Sequence, residues 1–163
     1  MKKIFNLLIV MLLLLLCLTS CSTPRPEIKK GEFDFSITYE LDGEVKTISG
    51  VYVCEFDGID FVLDGGFHRV WEGYIKDDTT EEAIQLKIAA DGGEVDLNLG
   101  LDPDTFMGDP HWDGYEPFAP WISVKVVTDE GMYFENDETI IAETYGAKII
   151  SYDYDEPIQN TFK

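Results

Sequence analysis

The chain has 163 residues, with 12 Lys and Arg against 32 Asp and Glu, a formal net charge of −20. So acidic a protein has no electrostatic route to a phosphate backbone, which excludes nucleic acid as a partner. Hydrophobic residues at 45% and aromatics at 13% exclude a disordered acidic tail, and the length suits one ordinary domain.

The charge is unevenly placed. Lys2 and Lys3 precede an apolar run from Ile4 to Leu18 that only Asn6 interrupts, and every carboxylate follows it. Without that opening segment, 10 basic side chains face 32 acidic ones, a net of −22. The run is shorter than the ~20 apolar residues a membrane-spanning helix needs. A basic start and an apolar stretch of this length have the form of a secretory signal. The stretch ends in Leu18-Thr19-Ser20-Cys21, which resembles the lipobox of bacterial lipoproteins. That resemblance covers the first twenty-one positions. It implies cleavage before Cys21 and a diacylglyceryl group on the Cys21 sulfur, because a thiol is the nucleophile that can carry the thioether. A plain secreted protein, cut at a nearby small residue, is the alternative.

Two acyl chains anchor a protein stably to a bilayer without spanning it. The expected location is therefore the extracytoplasmic face of the cell membrane. The expected organisation is residues 1–20 as signal peptide, 21–31 as lipidated cysteine and tether, and 32–163 as an exported domain. Pro24 and Pro26 stiffen the tether, and Arg25, Lys29 and Lys30 make it the basic patch of the mature chain. With Cys17 in the signal and Cys21 acylated, Cys54 is the remaining thiol of the domain. It sits in the apolar run Val51-Tyr52-Val53-Cys54, which predicts a buried, inert side chain.

From Glu32 onward the pattern is β. Phe33, Phe35, Ile37, Tyr39 and Leu41 alternate with polar residues, predicting a half-buried strand. Asp42-Gly43 predicts a type I′ hairpin into residues 44–56, which Gly50 should bend or bulge. Asp57-Gly58 reads as a further turn, and residues 59–63 and 67–75 flank Asp64-Gly65-Gly66 as a hairpin. Ile84, Leu86 and Ile88 alternate, as do Val95, Leu97, Leu99 and Leu101. Thr79-Thr80-Glu81-Glu82 resembles a capping box ahead of 83–90, but the cleaner alternation favours strand there. Residues 121–128, 139–143 and 147–154 are rich in Ile, Val and Tyr and read as strands, punctuated by Gly131 and Asn136-Asp137. No other segment predicts a helix. The expectation is one all-β domain, an antiparallel β-sandwich or barrel-like fold of about 8–10 strands with Ig-like or jelly-roll character. Most of the acids then occupy outward strand positions, where they are solvated and discourage edge pairing.

Residues 102–120 form the longest stretch without strand pattern and hold four of the seven prolines. A stiff long loop is a place for function. Its Phe106, Trp112, Tyr115 and Phe118, with the following Trp121, are interleaved with Asp109, Asp113 and Glu116. Flat rings beside hydrogen-bond acceptors suit a sugar, whose apolar face stacks while its hydroxyls donate. The candidate ligand residues are therefore Asp109, His111, Trp112, Asp113, Tyr115, Glu116 and Trp121. The alternative is a loop folded over the open end of the sandwich, with its rings plugging the core. A second cluster lies in Phe67-His68-Arg69-Val70-Trp71-Glu72-Gly73-Tyr74, where alternation puts Arg69 and Trp71 on one face. Packing with a cation–π contact, or a carboxylate-binding site, would explain it.

Asp102-x-Asp104, Asp57-Gly58-x-Asp60 and Asp153-x-Asp155-Glu156 are weak Ca2+ patterns, and Phe106 and Gly108 break the EF-hand spacing. His68 and His111, without a cysteine pair, do not make a zinc site. The expected cofactor is none, with Ca2+ the one ion these acids suit. G-x-S-x-G, H-E-x-x-H and C-x-x-C are all missing from the sequence, and no catalytic residue is assigned. Paired carboxylates for glycoside hydrolysis stay open, since 32 acids guarantee close pairs. The functional expectation is a lipid-anchored extracytoplasmic binding or interaction module whose partner is a carbohydrate or an envelope protein. A small envelope-polysaccharide hydrolase and a structural accessory subunit docking a partner protein are the alternatives.

Overall fold

Alternation and turn chemistry give the chain a strand-dominated structure. In the computed structural model, residues 23–63, 66–76, 83–88, 93–110, 114, 116–128 and 131–163 are described. Strand β1 spans Lys30–Leu41, β2 Glu44–Val62, β3 Gly66–Ile75 and β4 Ala83–Ile88. They are followed by β5 (Glu94–Asn98), β6 (Trp121–Thr128), β7 (Gly131–Glu135) and β8 (Ala147–Tyr154). These form two four-stranded sheets, ordered β3-β2-β1-β8 and β4-β5-β6-β7, with every pairing antiparallel. The expected all-β sandwich is what forms. Within it, β1–β3 and β4–β7 are successive meanders and β8 returns beside β1, a plainer order than the interleaved strands of an immunoglobulin domain.

The core follows from the period of two. Phe33, Phe35, Ile37, Tyr39 and Leu41 of β1 are all buried, against Val95 and Leu97 of β5, Leu99 just beyond it, and Ile122, Val124 and Val126 of β6. Asp42 and Gly43 have φ of 53° and 80°, the two positive values a type I′ turn requires, and Leu41 pairs with Glu44.

Strand β2 departs from expectation twice. Gly50 does not bend it: the residue pairs in register with Phe35, and a Cβ there would lie 3.0 Å from the Phe35 ring. Glycine at this position makes room for a core aromatic. Nor does Asp57-Gly58 turn the chain. β2 runs on to Val62, and the extra residue is absorbed as a bulge between Phe56 and Gly58. Turn-prone residues cannot end a strand while β3 still supplies hydrogen bonds along its whole length.

Residues 83–88 form a strand, as favoured, paired to β5. Residues 139–143 do not. There the chain makes α2 (Glu138–Ile140) and a π-helical turn over Ile141–Tyr145, after α1 (Pro103–Phe106). Asp137 is the cause: its carboxylate accepts from the backbone N–H of Thr139 and Ile140 at 2.9 and 3.1 Å, and Gly146 at φ 65° stops the turn. Local capping outweighs β-branched composition. Neither helix was expected, nor was edge strand β7, whose Met132, Tyr133 and Phe134 are exposed.

The described part of the segment expected as a tether is docked on the domain. Arg25 N donates to Lys163 O at 2.8 Å and Lys163 N returns to Arg25 O at 2.9 Å, while Pro26 bridges Phe162. Cys54 lies in β2 between Gly31 and Gly73 of the flanking strands and is fully buried. Burial first, then the charges of Asp102 and Asp104, push its thiol from 9.0 to about 12. At pH 8 that leaves roughly a thousandfold fewer thiolates than the ordinary value would. Mass spectrometry after alkylation at pH 8 should therefore find Cys54 modified only in denaturant, and rapid modification of the native protein would contradict its burial. Because the folded pKa is the higher one, this contribution to stability is complete below about pH 9 and fades as pH climbs toward 12.

Candidate functional site

The long loop is largely an internal structure. α1, opened by Pro103, carries Phe106 into the core, with its ring centroid 4.6 Å from Phe33, 5.5 Å from Tyr52 and 6.0 Å from Tyr154. Phe118 is likewise fully buried, 5.6 Å from Phe35 and 5.5 Å from Tyr152. The ends of the loop are held together by Asp102 N donating to Pro117 O at 2.9 Å and by a bridge between Leu101 and Phe118. For these two phenylalanines the core-plug expectation holds.

Asp109 belongs to the same interior. Arg69 Nε and Nη2 donate to its two carboxylate oxygens at 2.6 and 2.5 Å, and Trp71 Nε1 donates to one of them at 3.0 Å. The hydrogen-bonded Asp109 carboxylate holds the Arg69 guanidinium above its ordinary range. Arg69 Nη1 also donates to Pro24 O at 3.2 Å, and its guanidinium carbon lies 4.1 Å from the centre of the Phe162 ring. One arginine thus joins β3, the loop and both terminal segments. The carboxylate it binds is the protein's own, and Asp109 has both oxygens engaged by that node.

Trp121 and Glu116 have a different setting. They border a shallow groove of about 530 Å³ whose walls include Gly100, Leu101, Asp102 and Ala119, a volume typical of small-ligand sites. Trp121 opens β6, paired with Asn98, and is 47% exposed on the outer face of its sheet. At Gly100, φ is 59° and a Cβ would come within 2.8 Å of the Trp121 ring and 2.3 Å of Ala119 O. Only glycine lets the indole settle against the backbone there. Asp102 accepts a hydrogen bond from Thr105 Oγ1, and Glu116 accepts one from Tyr152 Oη at 3.4 Å.

Next to Trp121 the outer face is polar, and farther along it Val127, Met132 and Phe134 expose apolar side chains. Asn98 Nδ2 donates to Ser123 Oγ at 2.8 Å, and Asp96 pairs with Ser123 across the strands. Burial, and then the neighbouring Glu94 charge, raise the Asp96 carboxyl, with Lys125 opposing. These residues were not among the sequence candidates. Their signal was the alternation itself, since Leu97 and Leu99 inward put Asp96 and Asn98 outward. His111, Trp112, Asp113 and Tyr115 lie outside the described residues, as does Cys21.

Among the described residues, no group of three or more His, Cys, Asp or Glu is arranged to hold a metal ion. Asp60 and Asp155, from two of the weak Ca2+ patterns, accept the backbone N–H of Phe61 at 2.7 Å and Asp34 at 2.9 Å. No helix among them is long and apolar enough to cross a membrane. A second depression, of about 460 Å³, lies among Asp34, Ser36, Ser49, Asp153 and Asp155, and a third, of about 520 Å³, is walled by Ile122, Ile141, Ile149 and Ile150. Neither pairs an exposed indole with carboxylates as the Trp121 groove does.

The fold and groove define a two-sheet, all-β protein with a candidate binding surface at one strand end. Set against protein-family models, curated proteins and solved structures, the chain finds no match.

Proposed function

We propose that the protein is a lipid-anchored extracytoplasmic binding module whose groove takes a carbohydrate. The observation that carries this is the half-exposed Trp121 ring, seated against Gly100 beside Asp102 and Glu116. An indole held in place offers a flat apolar platform with little conformational entropy to lose. Carboxylates at its edge accept hydroxyl donors, which orients a sugar ring on the platform. The lipobox-like Leu18-Thr19-Ser20-Cys21 supplies the anchor in this reading.

Binding to a glycan array, followed by calorimetry on the best ligand, tests it. Trp121→Ala should weaken binding by roughly tenfold or more while the circular dichroism spectrum stays unchanged, because the side chain is half in solvent. A wild-type protein that binds no glycan would end the carbohydrate assignment. Docking of a partner protein has one separate observation in its favour. β8 is an edge strand, with Ile150 and Tyr152 exposed beside the aliphatic depression, and an extended segment could add there as a further strand. A stoichiometric partner lost on Ile150→Arg, with no glycan bound, would favour that reading.

A further inference from the structure

We infer that the tip of the β2–β3 hairpin inserts into the bilayer interface beside the acylated Cys21. The inference rests on the lipid-anchor reading. Pairing of β1 with β2 stops at Lys30 opposite Glu55, but β2 and β3 continue together to Val62 opposite Gly66. From the bulge onward they form a two-stranded arm, with no third strand beside it among the described residues. Such a ribbon has no core of its own. Asp60 and His68 face each other partway along it, but toward its end Phe61 lies opposite Phe67, with their ring centroids 5.1 Å apart. Phe61 is 53% exposed, Phe67 58% and Leu63 90%. Three large apolar side chains gathered on a projecting tip mark a surface that something covers.

The course of the chain says what covers it. Thr23 Oγ1 donates to Phe67 O at 3.5 Å, and Pro24 O accepts from Arg69 at 3.2 Å. The segment leading back to Cys21 therefore leaves from the flank of the arm. Two residues of chain reach at most about 7 Å, so the lipidated sulfur is tied close to the tip. Beyond Thr23 there is no slack to separate them, because Arg25 and Lys163 are paired backbone to backbone. The occupant is then the lipid surface itself. Aromatic and aliphatic side chains bury shallowly at the headgroup boundary, where the ribbon's free backbone edges still reach water. A second copy is the poorer fit, since each mature chain would carry a net of −22.

The test uses the full-length protein, acylated in its own export pathway and reconstituted in phosphatidylcholine vesicles. Leu63→Cys is labelled with an environment-sensitive nitrobenzoxadiazole dye, while the buried Cys54 takes none. Ile150→Cys on β8, at the opposite edge of the same sheet, is the control. The dye at 63 should shift to the blue on reconstitution and be quenched several-fold more by acyl-brominated lipid than by aqueous iodide, with the reverse at 150. Equal iodide quenching at both positions overturns the insertion. So does a blue shift that needs no vesicles and grows with protein concentration, which would place a second copy over the tip. Attachment of labelled fatty acid to the wild type and not to Cys21→Ala reads the anchor separately. Labelled protein with an aqueous tip overturns the insertion alone, whereas unlabelled wild type overturns the anchor and the insertion together.

Discussion

Asp109→Ala should destabilise the protein by roughly 3 kcal/mol, the lower end of what breaking a buried ion pair costs. The substitution removes the acceptor of three donors at once: Arg69 Nε, Arg69 Nη2 and Trp71 Nε1. An indole N–H buried without a partner, and a guanidinium mostly out of water, are then uncompensated. The Arg69 side chain keeps 21% exposure, so solvent relieves part of the penalty and places the effect at the lower end. Thermal unfolding should show a midpoint lowered by on the order of 10 °C, and urea unfolding a lower midpoint at unchanged slope. Arg69→Lys should fall between wild type and Asp109→Ala. It keeps the charge but loses the two-pronged geometry and the flat contact with Phe162. A loss below about 1 kcal/mol for Asp109→Ala would show the node behaving as an ordinary surface pair.

Phe106→Ala should cost about 3–5 kcal/mol, the range for deleting a buried aromatic and leaving its cavity. The ring is fully buried and touches Phe33 and Tyr52 on two strands of the first sheet and Tyr154 on a third. α1 is too short to hold itself, so this ring is what fixes the turn that presents Asp109 to Arg69. The two substitutions should therefore couple. The double variant is expected to lose less than the sum of the single losses, measured by a double-mutant cycle in urea. Strict additivity would mean that the node and the plug hold the loop independently. Phe61→Ala, on the exposed arm, is the contrast, with an effect within about 1 kcal/mol in the absence of membrane.

Much of the framework was legible in local pattern. The alternation over residues 33–41, 84–88 and 95–101 marks inward faces, the Ile, Val and Tyr content of 121–128 and 147–154 marks strands, and Asp42-Gly43 marks a turn, because all depend only on neighbours in sequence. Asp57-Gly58 misleads for the same reason. A glycine-containing pair tolerates a turn or a bulge alike, and the choice was made by β3 pairing across it. At Asp137 a carboxylate accepts from the nearest N–H groups, and the chain there is helical instead of extended.

The candidate site divides along the same line. Glu116 and Trp121 were visible as part of an acid-and-aromatic loop, and they do border the groove. Asp109 belonged to the same pattern but is held by Arg69, forty residues away in sequence, and Asn98 meets Ser123 only because β5 pairs with β6.

Acidity and strand alternation could be read directly along the chain, since charge, hydropathy and period are properties of single residues and their neighbours. Which carboxylate is buried against the domain's arginine, which aromatic rings fill the core and which stay in water depend on how the sheets pack. Those outcomes follow from strand register and sheet packing, which bring distant residues within bonding distance and leave identical side chains with opposite roles.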